Sequence, residues 1–184
     1  MVLHPLDPFY RIGSQSAFSE FLVDLEFLAA PLPGGAKGNG FLPGPRFMQK
    51  LVFTGCSPSV GTVSQDVIYN QYGIEIAVSG VEPMLVTGTR NRAPMCPRCK
   101  VISDKKLIDS RIIVDERISW LCPECNTRVP VEEIHWGRKA CIATSTVVIN
   151  GVHEGEVVPS DELLTDLHRY SGVAWSYCYC RGQS

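Results

Sequence analysis

In "SAFSEFLVDLEFLA", residues 16–29, Phe18, Phe21, Leu22, Leu25 and Leu28 recur at helical spacing. Ser14 or Ser16 stands where a cap belongs. The following "PLPGGAKGNGFLPGPR" is broken by proline and glycine and predicts a loop, so residues 1–48 read as an N-terminal extension of one helix and a Gly/Pro-rich loop. The apolar period then shortens. "FMQKLVFTG" is a strand candidate ending at Gly55, "GIEIAVSG" alternates cleanly, and "EPMLVTG" predicts a third strand. After a gap, the β-branched run "ACIATSTVVIN" predicts one long strand. Ser160 then caps a helix whose first turn carries Asp161 and Glu162; Leu163, Leu164, Leu167 and Tyr170 form its apolar face, and Gly172 stops it. In "VAWSYCYC", a closing strand puts Trp175, Tyr177 and Tyr179 on one face and Ser176, Cys178 and Cys180 on the other.

This order predicts an α+β fold: a mixed or antiparallel sheet with two helices, its body formed by residues 49–88 and 139–184, interrupted by an insert at 89–138. The last three elements form a β-α-β unit, expected in a split βαβ sandwich. A length of 184 residues suits one domain with a small insert, and 45% apolar with 20% charged residues is a globular composition. A net charge of -2 offers no whole-molecule attraction to nucleic acid or to a membrane. The opening "MVLHPLDPFYRIGSQ" has no basic n-region or apolar core, and the run from Ala17 to Leu28 is short and carries Glu20, Asp24 and Glu26. The expectation is a cytoplasmic protein whose eight cysteines are free or metal-bound rather than paired as disulfides.

The insert carries the strongest chemical pattern. "APMCPRCKVI" and "ISWLCPECNT" place Cys96, Cys99, Cys122 and Cys125 in two C-P-x-C turns. Two residues between cysteines let both sulfurs reach one ion from a single turn, and the proline fixes φ while leaving later amides free to bond sulfur. Two such turns complete a tetrahedral thiolate shell with no position open to substrate or water, which makes the metal structural. The intervening "LIDSRIIVDERISWL" predicts a hairpin turning at Asp115 and Glu116. From about residue 93 to 130 the stretch resembles a zinc ribbon, although its interval of 22 residues between Cys99 and Cys122 is slightly long. That resemblance implies one structural Zn²⁺ on a small β-hairpin. Four thiolates also suit iron, but rubredoxins typically follow the turn with Gly-Tyr, where this chain has Lys100 and Asn126; zinc is preferred.

Charge separates the insert from the rest. Residues 89–139 hold eleven Lys/Arg against seven Asp/Glu, while the remainder is acidic. Arg90, Arg92, Arg98, Lys100, Lys105 and Lys106 gather near the first turn, with Trp120 beside the second, which defines a candidate nucleic-acid face; an ordinary solvated face with Trp120 packing the hairpin is the preferred reading. Other motifs fail on chemistry. "CSPSVGT" has Thr62 where a phosphatase cradle needs arginine, and "HEGE" has Gly155 where a zinc deaminase needs its glutamate. "GGAKGNG" lacks the phosphate-loop order, and His135 and His153 read as surface or loop residues. Cys56, Cys141, Cys178 and Cys180 read as packed thiols, with a second thiolate cluster as the alternative. The sequence therefore favours a non-enzymatic zinc protein that presents a binding surface, with another protein as partner and nucleic acid as second choice. An enzyme with its site near Cys56 and the Cys178/Cys180 strand is the alternative from a different class.

Overall fold

Ser14 starts the first helix by accepting a hydrogen bond from the Ala17 amide, and α1 runs Gln15–Asp24 with Phe18 and Leu22 buried. The computed structural model describes residues 1–31, 40–53, 73–78, 82–87, 95–102, 112–113, 119–130, 133–134, 136–152 and 154–180. Gly55, Cys56, Thr62, Arg90, Arg92, Lys105, Lys106, the Asp115–Glu116 turn, His135 and His153, all singled out above, lie outside these residues.

The helix ends four residues before its apolar spacing does. Glu26 adopts φ 56°, the Phe27 amide reaches back to the Leu22 carbonyl, and the Glu26 amide reaches that of Val23. This is the double bond of a Schellman cap, built on glutamate where glycine is usual. Phe27 and Leu28 are thereby thrown into the core, and strand β2 (Leu28–Pro31) follows at once. Gly44 lies against this cap: its amide donates to the Phe27 carbonyl, and a Cβ there would overlap the backbone of Glu26 and sit 2.7 Å from the Leu28 carbonyl oxygen.

The main sheet has six strands. β1 (Val2–Pro5) lies between β13 (Trp175–Cys178) and β11 (Ser145–Ile149), and the order continues through β5 (Ile74–Val78) and β3 (Gly40–Pro43) to β2. Every neighbouring pair is antiparallel. Since β1 is antiparallel to both β11 and β13, those two are parallel to each other, with β1 threaded between them. With α2 (Asp161–Ser171) connecting them, they form a split β-α-β unit. The first 48 residues, which read as an extension, thus supply three strands of this sheet as well as α1. One face carries the core: Leu3, Ile76, Val147, Ile149 and Trp175 pack with Phe18 and Leu22 of α1 and Leu163 and Leu167 of α2. Phe18 stacks on Trp175 with centroids 6.0 Å apart.

The run expected to be one long strand is two. Thr144 directs both its amide (2.9 Å) and its hydroxyl (2.8 Å) to the carbonyl of Pro8, and the chain changes sheets there. Before it, β10 (Ala140–Ala143) pairs with β6 (Met84–Thr87); after it, β11 pairs with β5. Two arms thus leave the main sheet together, and the two-stranded ladder they form lies over the sheet's second face, burying Val2, Cys141 and Cys178 among Val86 and Val148. The remaining short pair joins β4 (Leu51–Phe53) to β12 (Val157–Pro159).

α2 has the cap and stop its sequence predicts. Ser160 accepts from the Leu163 amide and Gly172 is left-handed at φ 76°. It also holds a feature that periodicity does not reveal. Lys50 is 1% exposed, and its Nζ lies 2.7 Å from both Asp166 Oδ2 and Glu162 Oε1. Burial pulls the Lys50 proton affinity down, but hydrogen bonds and the charges of Asp166 and Glu162 outweigh it and raise the pKa above the ordinary 10.5. The bond from Lys50 holds the Glu162 carboxyl below its usual 4.5.

Two outcomes follow for stability. Gly44→Ala costs about 2 kcal/mol by overpacking backbone that cannot yield, whereas Glu26→Gly gains about 1 kcal/mol by relieving the left-handed glutamate, both read from denaturant midpoints. Lys50→Met strands the buried Asp166 carboxylate with only the exposed Arg169 at 3.0 Å, and costs about 3 kcal/mol. The raised lysine contributes fully below pH 10.5 and loses its contribution as pH climbs through its folded pKa; the depressed Glu162 contributes above pH 4.5 and fades as pH falls through its own. The stability gap between wild type and Lys50→Met is therefore widest between those two values and narrows on both sides.

Candidate metal centre

Each C-P-x-C turn closes the same way. In the first, Met95 and Ile102 form an antiparallel bridge, the Cys96 amide donates to the Val101 carbonyl at 3.0 Å, and the Lys100 amide donates to the Cys96 carbonyl at 2.9 Å. In the second, Leu121 faces Arg128 across the hairpin of β8 (Ser119–Leu121) and β9 (Arg128–Pro130), and the Cys122 and Asn126 amides make the equivalent bonds at 3.0 Å each. Lys100 and Asn126, which follow the second cysteine of each turn, are both left-handed, at φ 61° and 52°. Two separate segments have thus folded into one local geometry. β8 also pairs with β7 (Ile112–Ile113), so a three-stranded antiparallel sheet connects the turns.

The turns face each other. Cys96 Sγ lies 3.9 Å from Cys125 Sγ, Cys99 Sγ lies 3.7 Å from Cys122 Sγ, and all four sulfurs fall within 4.8 Å of one another. A tetrahedron with sulfurs about 2.3 Å from its centre has edges of about 3.8 Å, so these cross-turn edges match a thiolate-bound ion. The donor set is chemically complete. Below it, Trp120 is 1% exposed and packs with Cys96, Cys122, Val129, Ile134 and Ile142. Its Nε1 is buried with no hydrogen-bond partner among the described residues. Ile142 belongs to β10 and the adjoining Leu85 to β6, so the metal module's small core continues onto the arms that carry it. Trp120 is therefore a packing residue. Arg98 and Lys100 are exposed beside the first turn.

The four sulfurs are not equivalent. Cys96 and Cys122 are buried, Cys99 is half-buried and Cys125 is exposed. The hydroxyl of Thr127, 3.3 Å from Cys125 Sγ, and the Thr127 amide hold the Cys125 thiol down at about 6. At Cys99 the matching amide, from Val101, also lowers the pKa, but burial and the neighbouring thiols push it up to about 12. A cation that lets all four ionise together resolves this conflict.

The remaining cysteines are also brought together in part. Cys178 and Cys180 lie on one side of the last strand with their sulfurs 3.5 Å apart, as the alternation predicts, and Cys141 adjoins Cys178 from β10. His4, which carries no motif, stands beside them. Its only sequence signal is its place two residues after Val2 in a strand too short to show a period. No helix among the described residues is long and apolar enough to cross a membrane. No protein-family model, curated protein or solved structure matches this chain.

With the ribbon folded at pH 7, iodoacetamide should modify Cys125 before Cys99, because the Cys125 thiol is exposed and held down at about 6 while that of Cys99 is half-buried and pushed up to about 12. Peptide mapping by mass spectrometry reads the order, and equal rates at Cys99 and Cys125 would refute it.

Proposed function

We propose that the chain is a non-enzymatic zinc protein in which a four-cysteine ribbon, held out on two strand arms, presents a surface to a protein partner. The observation that carries this reading is the pair of equivalent turns whose sulfurs meet at tetrahedral spacing. A closed thiolate shell has no position for a substrate, so its ion acts by fixing the ribbon's shape. Zinc is favoured over iron by Lys100 and Asn126, which stand where rubredoxins typically carry Gly-Tyr. A protein partner is favoured over nucleic acid by what surrounds the first turn. Val101 (40% exposed) and Ile102 (52% exposed) lie next to Arg98 and Lys100, a mixed apolar and basic surface. Trp120 is buried and unavailable to stack on bases.

Elemental analysis of freshly purified protein should find zinc, with about one equivalent lost in Cys99→Ser. Chelation should expose the ribbon to protease while the body keeps a cooperative unfolding transition, since a hairpin this small needs its ion and the body has its own core. Predominant iron, or unchanged metal content in Cys99→Ser, overturns the assignment. Retention on nucleic acid at low salt that Lys105→Glu with Lys106→Glu abolishes would put nucleic acid first among partners.

A further inference from the structure

The sheet's second face holds a group of ligating atoms that the ribbon does not use. Cys141 of β10, Cys178 of β13 and His4 of β1 each offer one donor atom, and the three atoms lie within 4.8 Å of one another. Strand register accounts for the meeting. Val2 is opposite Cys178 and His4 is opposite Ser176, so His4 and Cys178 share a face of the main sheet, and the crossing arm brings Cys141 down onto it. Cys141 is 3% and Cys178 1% exposed.

We propose that His4, Cys141 and Cys178 form a second metal site, for a borderline-soft divalent ion of the zinc class, with three protein ligands and a fourth position open to an exogenous small ligand. The donor set is Cys₂His, a combination suited to a tetrahedral ion that keeps one position free. His4 is prepared for the role. Its Nδ1 lies 2.9 Å from the Pro5 carbonyl; donating its proton there leaves the lone pair on Nε2, the arrangement that ligating histidines adopt. Burial lowers the His4 pKa, which keeps the ring neutral, as a ligand must be. The open side is also present. A cavity of about 150 Å³ is bounded by His4 and Cys141, together with Leu6, Ile134 and Trp136, and gives room for a small ligand at the triad's edge.

A packed thiol cluster without metal is the competing explanation, and the placement of His4 weighs against it. Apolar packing gives no reason for a tautomer-fixed histidine among the sulfurs. Cys180 is not part of the set: its thiol lies 3.5 Å from Cys178 Sγ but is directed to the Val86 carbonyl at 3.5 Å. The site is independent of the ribbon and of the function assigned to it.

Full-length protein equilibrated with Zn²⁺ under reducing conditions and desalted should retain about two equivalents. Cys178→Ala, Cys141→Ala and His4→Phe should each lose one of them, Cys99→Ser should lose the other, and Cys180→Ala should lose neither. In the Cys99→Ser background, Co²⁺ should still produce thiolate charge-transfer absorption, and imidazole should shift its ligand-field bands by occupying the open position. Circular dichroism establishes that each variant is folded. Should any variant fail to fold, the wild-type stoichiometry alone decides. A wild type whose single equivalent is lost in Cys99→Ser, a Cys178→Ala protein that keeps the wild-type stoichiometry, or loss of an equivalent in Cys180→Ala overturns the proposal. A ribbon that holds no metal would instead appear as unchanged stoichiometry in Cys99→Ser, which separates that failure from this one.

Discussion

Thr144 spends both of its donors on the carbonyl of Pro8, and the arrangement of the whole molecule depends on that contact. It stops a β-branched run from continuing as one strand and sends its first half across the main sheet. Without this bend, Cys141 would lie along the sheet instead of over it. The second face would lose its cover, and the arm leading to the metal module would point elsewhere. One side-chain hydroxyl and one amide thus connect the fold of the body with the placement of both cysteine clusters. The interaction is local in energy, about 1 kcal/mol per hydrogen bond, but it selects the topology.

The molecule is organised around two different ways of covering a sheet. On one face, two helices bring aromatic and aliphatic side chains onto Leu3, Val147 and Trp175, and burial of apolar area holds the layers together. On the other, a narrow two-stranded ladder covers a small patch rich in sulfur. The metal module repeats the second solution on a smaller scale, with Trp120 as its only large buried side chain among the described residues. A core of that size is small for independent stability, and four sulfurs that could hold an ion stand beside it.

Much of this was legible in the chain, and the misses have physical causes. The second helix was clear because Ser160, Asp161, Glu162 and Gly172 are local signals that need no tertiary context. The alternation of Trp175 and Cys178 was clear because the strand faces two chemically different surroundings. The cysteine turns were clear because their geometry is encoded within six residues. The first strand was missed because it is almost wholly buried and too short to show a period. The first helix was read too long because Leu25 and Leu28 keep its spacing while Glu26 breaks its backbone. Lys50 and His4 could not be placed at all: each matters through partners on distant strands and helices, and a single lysine or histidine carries no sign of who its partner is.

The position of β1 has a consequence for how the chain is made. β1 is made long before either of the strands it lies between, with Val2 opposite Val148 on one side and Cys178 on the other. Its edges stay unpaired until those strands have emerged, and closing so large a loop slows folding. The cysteine turns and their hairpin need only neighbours a few dozen residues away. They can close while the body is still waiting for the strands that flank β1, and that apolar strand must be kept from other chains during synthesis.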